Sequence, residues 1–330
     1  MRHQMLSLSK IISATAIVVT ALSMSSGAVA DDYPERRVRL ITPYAAGGLT
    51  DIVARVLAKK LSERIGQTVV VENRPGAGGI IGVETVAKSA ADGYTLLLVG
   101  QGLASVNTSL HKDLPYDTLR DFVPLSLIAR FSMVFVTTPD KSPASLSELI
   151  AMAKANPNVL NYGSAGNAST AHLMTELFCD QENIKMFHVA YKGESPAFSE
   201  IMAGRVTGMF ATLGGAIPLI QAGKLHPIAI ATKERSPLLP GVPTFDEGGV
   251  QGFEVYGWYG VLAPANTPKA ITDRLTRELI AIGHETEFRD YLNARGMEAI
   301  GSTQKELDDL IQSETVRWSK IIQKVGIRSE

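Results

Sequence analysis

Pro43-Tyr44-Ala45-Ala46-Gly47-Gly48-Leu49-Thr50-Asp51 and Tyr162-Gly163-Ser164-Ala165-Gly166-Asn167-Ala168-Ser169-Thr170 are the two stretches whose reading decides the fold. Each follows a short apolar run that predicts a strand, Val38 to Thr42 and Val159 to Tyr162, and each precedes a segment of helical periodicity. A small-residue turn between a strand and a helix exposes backbone N–H groups, with the positive end of the helix dipole behind them. That combination makes an anion site. Two such turns, far apart in the chain, predict two lobes that each offer a helix end to one ligand.

Outward from the first turn, Thr50 to Ile65 predicts a helix, with Val53, Val56, Leu57 and Leu61 on one stripe. Thr50 or Leu49 is placed to cap its start, Asp51 suits its first turn, and Gly66 fits the position just past its end. Thr68 to Glu72 predicts a second strand, Gly78 to Ala87 a second helix, and Tyr94 to Val99 a third strand suited to a sheet covered on both faces. This β-α-β-α-β order predicts a parallel sheet with right-handed crossovers.

Phe122 to Thr138 is apolar over more length than one strand needs, and is read as running from one lobe into the next. The alternation then resumes. Helices are expected at Leu146 to Ala155, Thr170 to Cys179, Pro196 to Ala203 and Ala216 to Ala222, and strands at Met186 to Val189, Val206 to Ala211 and Pro227 to Thr232. Arg235 to Gly252 is rich in Pro and Gly and reads as loop, and Phe253 to Ala263 as an extended segment that crosses back. The C-terminus reads as helix, with Leu307, Leu310, Ile311, Trp318, Ile321, Ile322 and Val325 on one stripe. Two crossings between similar lobes describe a clamshell, whose cleft lies at the carboxyl ends of parallel strands.

Composition bounds the function. The 330 residues are 45% hydrophobic and 20% charged, with a net charge of -1; no basic field points to nucleic acid. Arg2 and Lys10, the apolar run Ile11 to Leu22 and the small-residue site Ala28-Val29-Ala30 read as a signal peptide cleaved after Ala30. The run is too short to span a bilayer comfortably. Export to the periplasm is therefore expected. Without residues 1–30 the chain holds 30 basic and 33 acidic side chains. Cys179 is the only cysteine, so no internal disulfide forms, and it is read as a small buried apolar residue.

These residues, taken in order, resemble the periplasmic solute-binding receptors of tripartite tricarboxylate transporters, the Bug or TctC-type proteins. Besides the two turns, the resemblance rests on Glu72-Asn73-Arg74-Pro75-Gly76-Ala77-Gly78-Gly79, Ala91-Asp92-Gly93-Tyr94-Thr95-Leu96, His172-Leu173, Val189-Ala190-Tyr191-Lys192-Gly193, Pro240-Gly241-Val242-Pro243-Thr244 and Ala263-Pro264-Ala265-Asn266-Thr267-Pro268. It implies an α/β fold of the type II periplasmic-binding class: a two-lobed Venus flytrap, each lobe a mainly parallel sheet flanked by helices. Lobe 1 is expected to hold residues 31–133 and 260–330, and lobe 2 residues 134–259. The resemblance implies a small ligand bearing a carboxylate, held mainly by backbone N–H groups and ordered waters. Contacts are expected from Tyr44, Ala46, Gly47, Gly48, Thr50, Asp51 and Gln101 in the first lobe. In the second they are expected from Ser164, Ala165, Gly166, Ser169, Thr170, Tyr191, Lys192 and Thr212. No cofactor or metal is expected. The partners implied are the membrane permease subunits of such a transporter or a sensor kinase, with the protein itself a monomer.

Some positions depart from the family pattern: Tyr44 stands where phenylalanine is frequent, Leu49 where a small or polar residue is common, and Ala168 where a second glycine is. Ala211 stands where an aspartate is frequent, one able to receive a ligand's amino group. Its absence predicts a plain carboxylic acid, aliphatic or aromatic, in place of an amino acid.

Other readings are weaker. Ser164 lacks the glycine two residues before it that a nucleophile elbow needs, and no credible base pairs with it in the sequence, so no enzyme is expected. His172, in the first turn of a helix, is expected to bond the turn backbone. The six histidines show no metal-type spacing. Gly76, Gly78 and Gly82 miss the dinucleotide fingerprint by one residue and read as a tight turn. Along Tyr256, Trp258 and Tyr259, one face is expected in the core and the other toward the cleft.

Overall fold

In a computed structural model, residues 33–111, 113–139 and 143–327 are described. The expected signal peptide, 1–30, lies outside them. Strands β1 (Val38–Thr42), β2 (Val69–Asn73) and β3 (Thr95–Gly100) pair in parallel in the order β2-β1-β3. Helices α1 (Leu49–Ile65) and α2 (Ile80–Ala87) make the crossovers. α1 ends as its sequence predicts: Gly66 adopts φ 74° and its N–H returns to Ser62 O at 3.1 Å. Its start differs. The N-cap is Gly48, without a side-chain cap; neither Thr50 nor Leu49 takes that place. Every residue of β3 is buried. Leu96 and Leu98 pack into one apolar cluster, Leu97 and Val99 into another with Val83, Trp258, Leu307 and Ile311. That two-sided burial is why the run has no polar alternation.

Strand β4 (Phe122–Thr137) is 16 residues long. Helix α3 (Leu146–Ala155) follows it, then β5 (Asn161–Ser164), α4 (Thr170–Glu182), β6 (Phe187–Ala190), α5 (Glu194–Met202), β7 (Gly208–Thr212), α6 (Leu213–Gln221) and β8 (His226–Ile230). β5 lies between β6 and β7 and is parallel to both. It starts later than the apolar run at Val159 predicts: Val159 is 71% exposed, and the continuous burial begins at Tyr162. Phe135, Phe178, Phe210, Phe245 and Phe253 form the aromatic centre of this half, with ring centroids 4.6 to 6.4 Å apart. Phe245, from the predicted loop, is fully buried there. Cys179 is buried, as expected.

The chain returns through β9 (Tyr256–Pro264), α7 (Lys269–Gly283), α8 (Thr286–Asn293), β10 (Met297–Ala299) and α9 (Gln304–Val325). In α9 the stripe Leu307, Ile311, Trp318, Ile321 and Ile322 is buried, while Val325 is exposed at the end. β4 joins the two halves. Phe122 to Ser132 pair with β9, and from Met133 onward the strand pairs with β7 and β8. These pairings are antiparallel, so each half adds antiparallel pairings to the expected parallel core, and β4 takes part in both. β9 pairs only with β3 and the first part of β4, so the return crossing precedes Tyr256. Among the described residues no helix is long and apolar enough to cross a membrane.

Candidate functional site

The parallel strands of the first half end at Thr42, Asn73 and Gly100, and those of the second at Ser164, Ala190 and Thr212. The residues expected at the site follow these ends, the crevice position that open α/β sheets use for ligands.

The first turn is held by a clasp that its own sequence does not announce. Asp51 Oδ2 accepts the Gly47 N–H at 3.0 Å and Arg55 Nε at 2.9 Å, while Oδ1 accepts Asn73 Nδ2 at 3.0 Å. Asn73 Nδ2 also donates to Tyr44 O at 3.1 Å. Burial pushes the Asp51 pKa up, but these hydrogen bonds outweigh it and hold the carboxyl below its ordinary value. Asp51 thus shapes the loop from the first turn of α1. Gly47, at φ 86°, spends its N–H on Asp51 and offers none to an anion. Ala46 and Gly48 are exposed, and α1 behind them has no side-chain cap. This helix end is therefore open to an acceptor from outside.

Tyr44 and Thr50 meet the returning strand β9. The Tyr44 hydroxyl takes a hydrogen bond from the Gly100 backbone, and the Thr50 side chain bonds the Tyr259 hydroxyl. Burial raises both phenols, Tyr259 to about 12, so both stay neutral hydrogen-bonding groups. A side chain at Gly100 would meet Tyr44 Oη at 3.0 Å and the Tyr259 ring at 3.3 Å. Trp258, on the other face of β9, is in the core, and Tyr259 is buried too, in the other apolar cluster. Gln101 follows β3, and its Nε2 donates to Glu314 of α9, which also accepts Trp318 Nε1. That bond occupies the amide nitrogen of a residue expected at the ligand.

The second turn is built differently. Ser164 Oγ lies 2.9 Å from Gly166 O, accepts the Gly166 N–H at 3.2 Å, and is 2.7 Å from His188 Nε2. Ser169 caps α4 by accepting the His172 N–H at 3.4 Å, and Ala168 N–H donates to His172 Nδ1 at 2.9 Å. The expected role of His172 in bonding the turn is observed. Gly166 and Ser169, expected at the ligand, spend these groups inside the turn. Ala165 O accepts the Gly193 N–H at 3.2 Å, which ties the turn to the segment Tyr191 to Gly193. Thr170 opens α4 half-buried, Tyr191 is half-buried, and Lys192 is exposed.

Beneath this turn, His172 and His188 stack with centroids 3.7 Å apart, and Glu176 accepts the Tyr162 hydroxyl. Burial pushes the imidazoles down to about 3 and about 4, with His188 adding to the effect on His172, and pushes Glu176 up. A serine beside an imidazole resembles half of a catalytic pair. Here Ser164 is fully buried, and no carboxylate bonds His188 among the described residues. The arrangement props the turn.

Glu194, absent from the expected set, opens α5 right after Gly193. Its Oε1 accepts the Thr212 N–H at 2.7 Å and its Oε2 accepts Thr212 Oγ1 at 2.8 Å. Its charge is felt at Tyr259. Thr50 of one half bonds Tyr259, and Glu194 of the other bonds Thr212 at the end of β7. Sequence reading missed Asn73, Tyr259's partners and Glu194 because each acts on a loop distant in the chain. Among the described residues no group of His, Cys, Asp and Glu is arranged to hold a metal.

The sequence and the fold have counterparts in known proteins. The sequence pattern of the tripartite tricarboxylate transporter family receptor matches residues 53–327. Protein BugT of Bordetella pertussis is 34% identical over 324 residues, covering 98% of this chain and 99% of that protein. The structure titled R. palustris Rpa4515 with adipate superposes with a TM-score of 0.80 at 35% identity, over 90% of this chain and 99% of that one. MatC (Rpa3494) from Rhodopseudomonas palustris with bound malate gives 0.75 at 30% identity, over 88% and 100%.

Proposed function

The chain belongs to the tripartite tricarboxylate transporter receptor family, and from that premise we propose that it is a periplasmic solute-binding protein that captures a small carboxylate between its lobes. It then presents the closed form to the membrane permease of a tripartite transporter. The observation that supports this most is the uncapped N-terminus of α1, with Ala46 and Gly48 exposed before it and Thr50 bonded to Tyr259 of β9. A carboxylate at that helix end gains hydrogen bonds from first-turn N–H groups and the dipole behind them. In this reading Tyr44, Ala46, Gly48 and Thr50 surround it from the first lobe, and Ala165, Thr170, Tyr191, Lys192 and Thr212 close over it. Closure is about the passage of β4 at Ser132 and Met133 and the return before Tyr256, the hinge mode of two-lobed receptors. The bound adipate and malate of the similar structures are both carboxylates, which fits the same chemistry. Export through the N-terminal segment, with cleavage after Ala30, belongs to the same proposal.

The test is a thermal-shift screen of protein that has been unfolded and refolded to strip resident ligand. Ligand at 100 times its Kd adds ~2.7 kcal/mol, enough to raise Tm by several degrees. A rise with carboxylic acids and not with their amides is expected. A rise with amides equal to that with acids would overturn the proposal.

A further inference from the structure

The two lobes bring opposite electrostatics to the cleft. The first offers the open end of α1, with no side-chain acceptor at its N-cap. In the second, α4 is closed by its own Ser169. The N-terminus of α6 is met by the Glu194 carboxylate, which accepts both the N–H and the hydroxyl of its N-cap, Thr212. We propose that Glu194 is a specificity-determining residue that receives a cationic amino group on the ligand, so that the protein selects amino-bearing carboxylates over plain ones. This rests on the reading of the cleft as a carboxylate site.

Three observations argue for it. Glu194 stands beside the second turn: the preceding Gly193 bonds Ala165 of that turn, and its own carboxylate bonds Thr212 at the end of β7. The fold makes room for the carboxylate. A side chain at Gly215 would stand 2.8 Å from Glu194 Oε2 and 2.8 Å from Thr212 Oγ1, so the glycine of α6 leaves the space that these two oxygens take. The charge also lacks a counter-ion. Both partners of the carboxylate are neutral, and among the described residues no Lys, Arg or His pairs with it, although Glu194 is partly buried and burial raises its pKa. A partly buried carboxylate without a counter-charge is costly, and a cation that completes it returns that cost. Two neutral donors leave acceptor capacity on both oxygens. A ligand carboxylate at α1 and an ammonium at Glu194 match the two ends of an amino acid. The empty position at Ala211 does not exclude an amino acid, since Glu194 brings the acidic group to the neighbouring Thr212 from another helix.

The competing role is a strut that only ties α5 to β7. Calorimetric titration of matched acids separates the two: succinate and aspartate, butyrate and 2-aminobutyrate, 3-phenylpropionate and phenylalanine. At least one amino-bearing acid is expected to bind the wild-type protein roughly 10- to 100-fold more tightly than its plain counterpart, the scale of a charged hydrogen bond. Glu194→Gln keeps the shape and an acceptor for Thr212, and is expected to erase that difference while plain acids bind as before. Tighter binding of the plain member of each pair, or equal weakening of both members by Glu194→Gln, would overturn this proposal and leave the carboxylate site standing. If the wild-type protein bound neither member of any pair, both readings would fall. The wild-type titration decides the matter even where the variant does not fold.

Discussion

Asn73 does more for the first turn than any residue in it. One amide nitrogen holds both Tyr44 O and Asp51 Oδ1. Asn73→Ala leaves a buried carboxylate oxygen and a carbonyl without that donor, and is expected to cost about 1–3 kcal/mol of stability and to weaken carboxylate binding. Denaturant unfolding and titration calorimetry check this, and an unchanged affinity would remove Asn73 from the account. Gly166 is a second case. It sits at φ 137°, a conformation that L side chains rarely adopt, and a Cβ there would touch Tyr191 O at 3.5 Å. Gly166→Val is expected to distort the second turn at a cost of about 1–3 kcal/mol, read as a lower Tm. At this scale the glycines and the role of His172 were legible in the sequence, because turn chemistry is local. The clasp of Asn73 on Asp51 and the approach of Glu194 to Thr212 were not, because their partners lie on other elements.

At the scale of elements, strand and helix placement followed hydrophobic pattern, and edges moved by a few residues where burial overrode it. β5 is the clearest instance, with Val159 apolar yet exposed. The aromatic centre of the second lobe gathers rings from β4, α4, β7 and the loop that holds Phe245 and Phe253. Phe210 contacts three of the others, so Phe210→Ala is expected to cost about 3–5 kcal/mol, seen as a lower midpoint in denaturant. The pair of α4 and β6 sets an acid limit. Unfolded, His172 and His188 titrate near their ordinary value of 6.5; folded, burial holds them at about 3 and about 4. The unfolded chain therefore binds protons first, and the fold loses stability as pH falls from about 6.5 toward about 4. Glu176 has the opposite sign. Its raised folded pKa adds stability that is full below its ordinary value and is lost as pH rises through the raised one. Replacing His188 by Asn is expected to flatten the fall of Tm between pH 6.5 and pH 4, and an unaltered slope would show that the stacked pair is not its source.

At the scale of the whole molecule, β4 makes one continuous sheet of two lobes. Phe122 to Thr138 was legible as a crossing because no single lobe needs so long an apolar run. Its packing was not legible. Phe131 lies 5.1 Å from the Tyr259 ring, and a Cβ at Gly257 would stand 2.0 Å from the Phe131 ring. Gly257→Ala is expected to displace that ring, lower stability by about 1–3 kcal/mol and weaken ligand binding without touching either turn. Solution scattering supplies the global measure. The radius of gyration is expected to fall when a carboxylate binds wild-type protein, and to fall less in Gly257→Ala at equal saturation.

Periodicity and turn chemistry in the sequence alone determined the order of strands and helices, the two glycine-rich turns, the crossing and the family resemblance, because each depends on residues within one turn or strand of each other. Only the tertiary structure decided which N–H groups remain open. It showed that Gly47 and Gly166 spend theirs internally, that α1 is open while α4 is capped, and that Glu194 meets Thr212 near Tyr259. The reason is physical: a hydrogen bond is satisfied by whichever partner the folded backbone brings within 3 Å or so; Gly47, Gly166 and α4 find theirs within four residues, whereas Thr212 meets Glu194, and Asp51 meets Asn73, from another element.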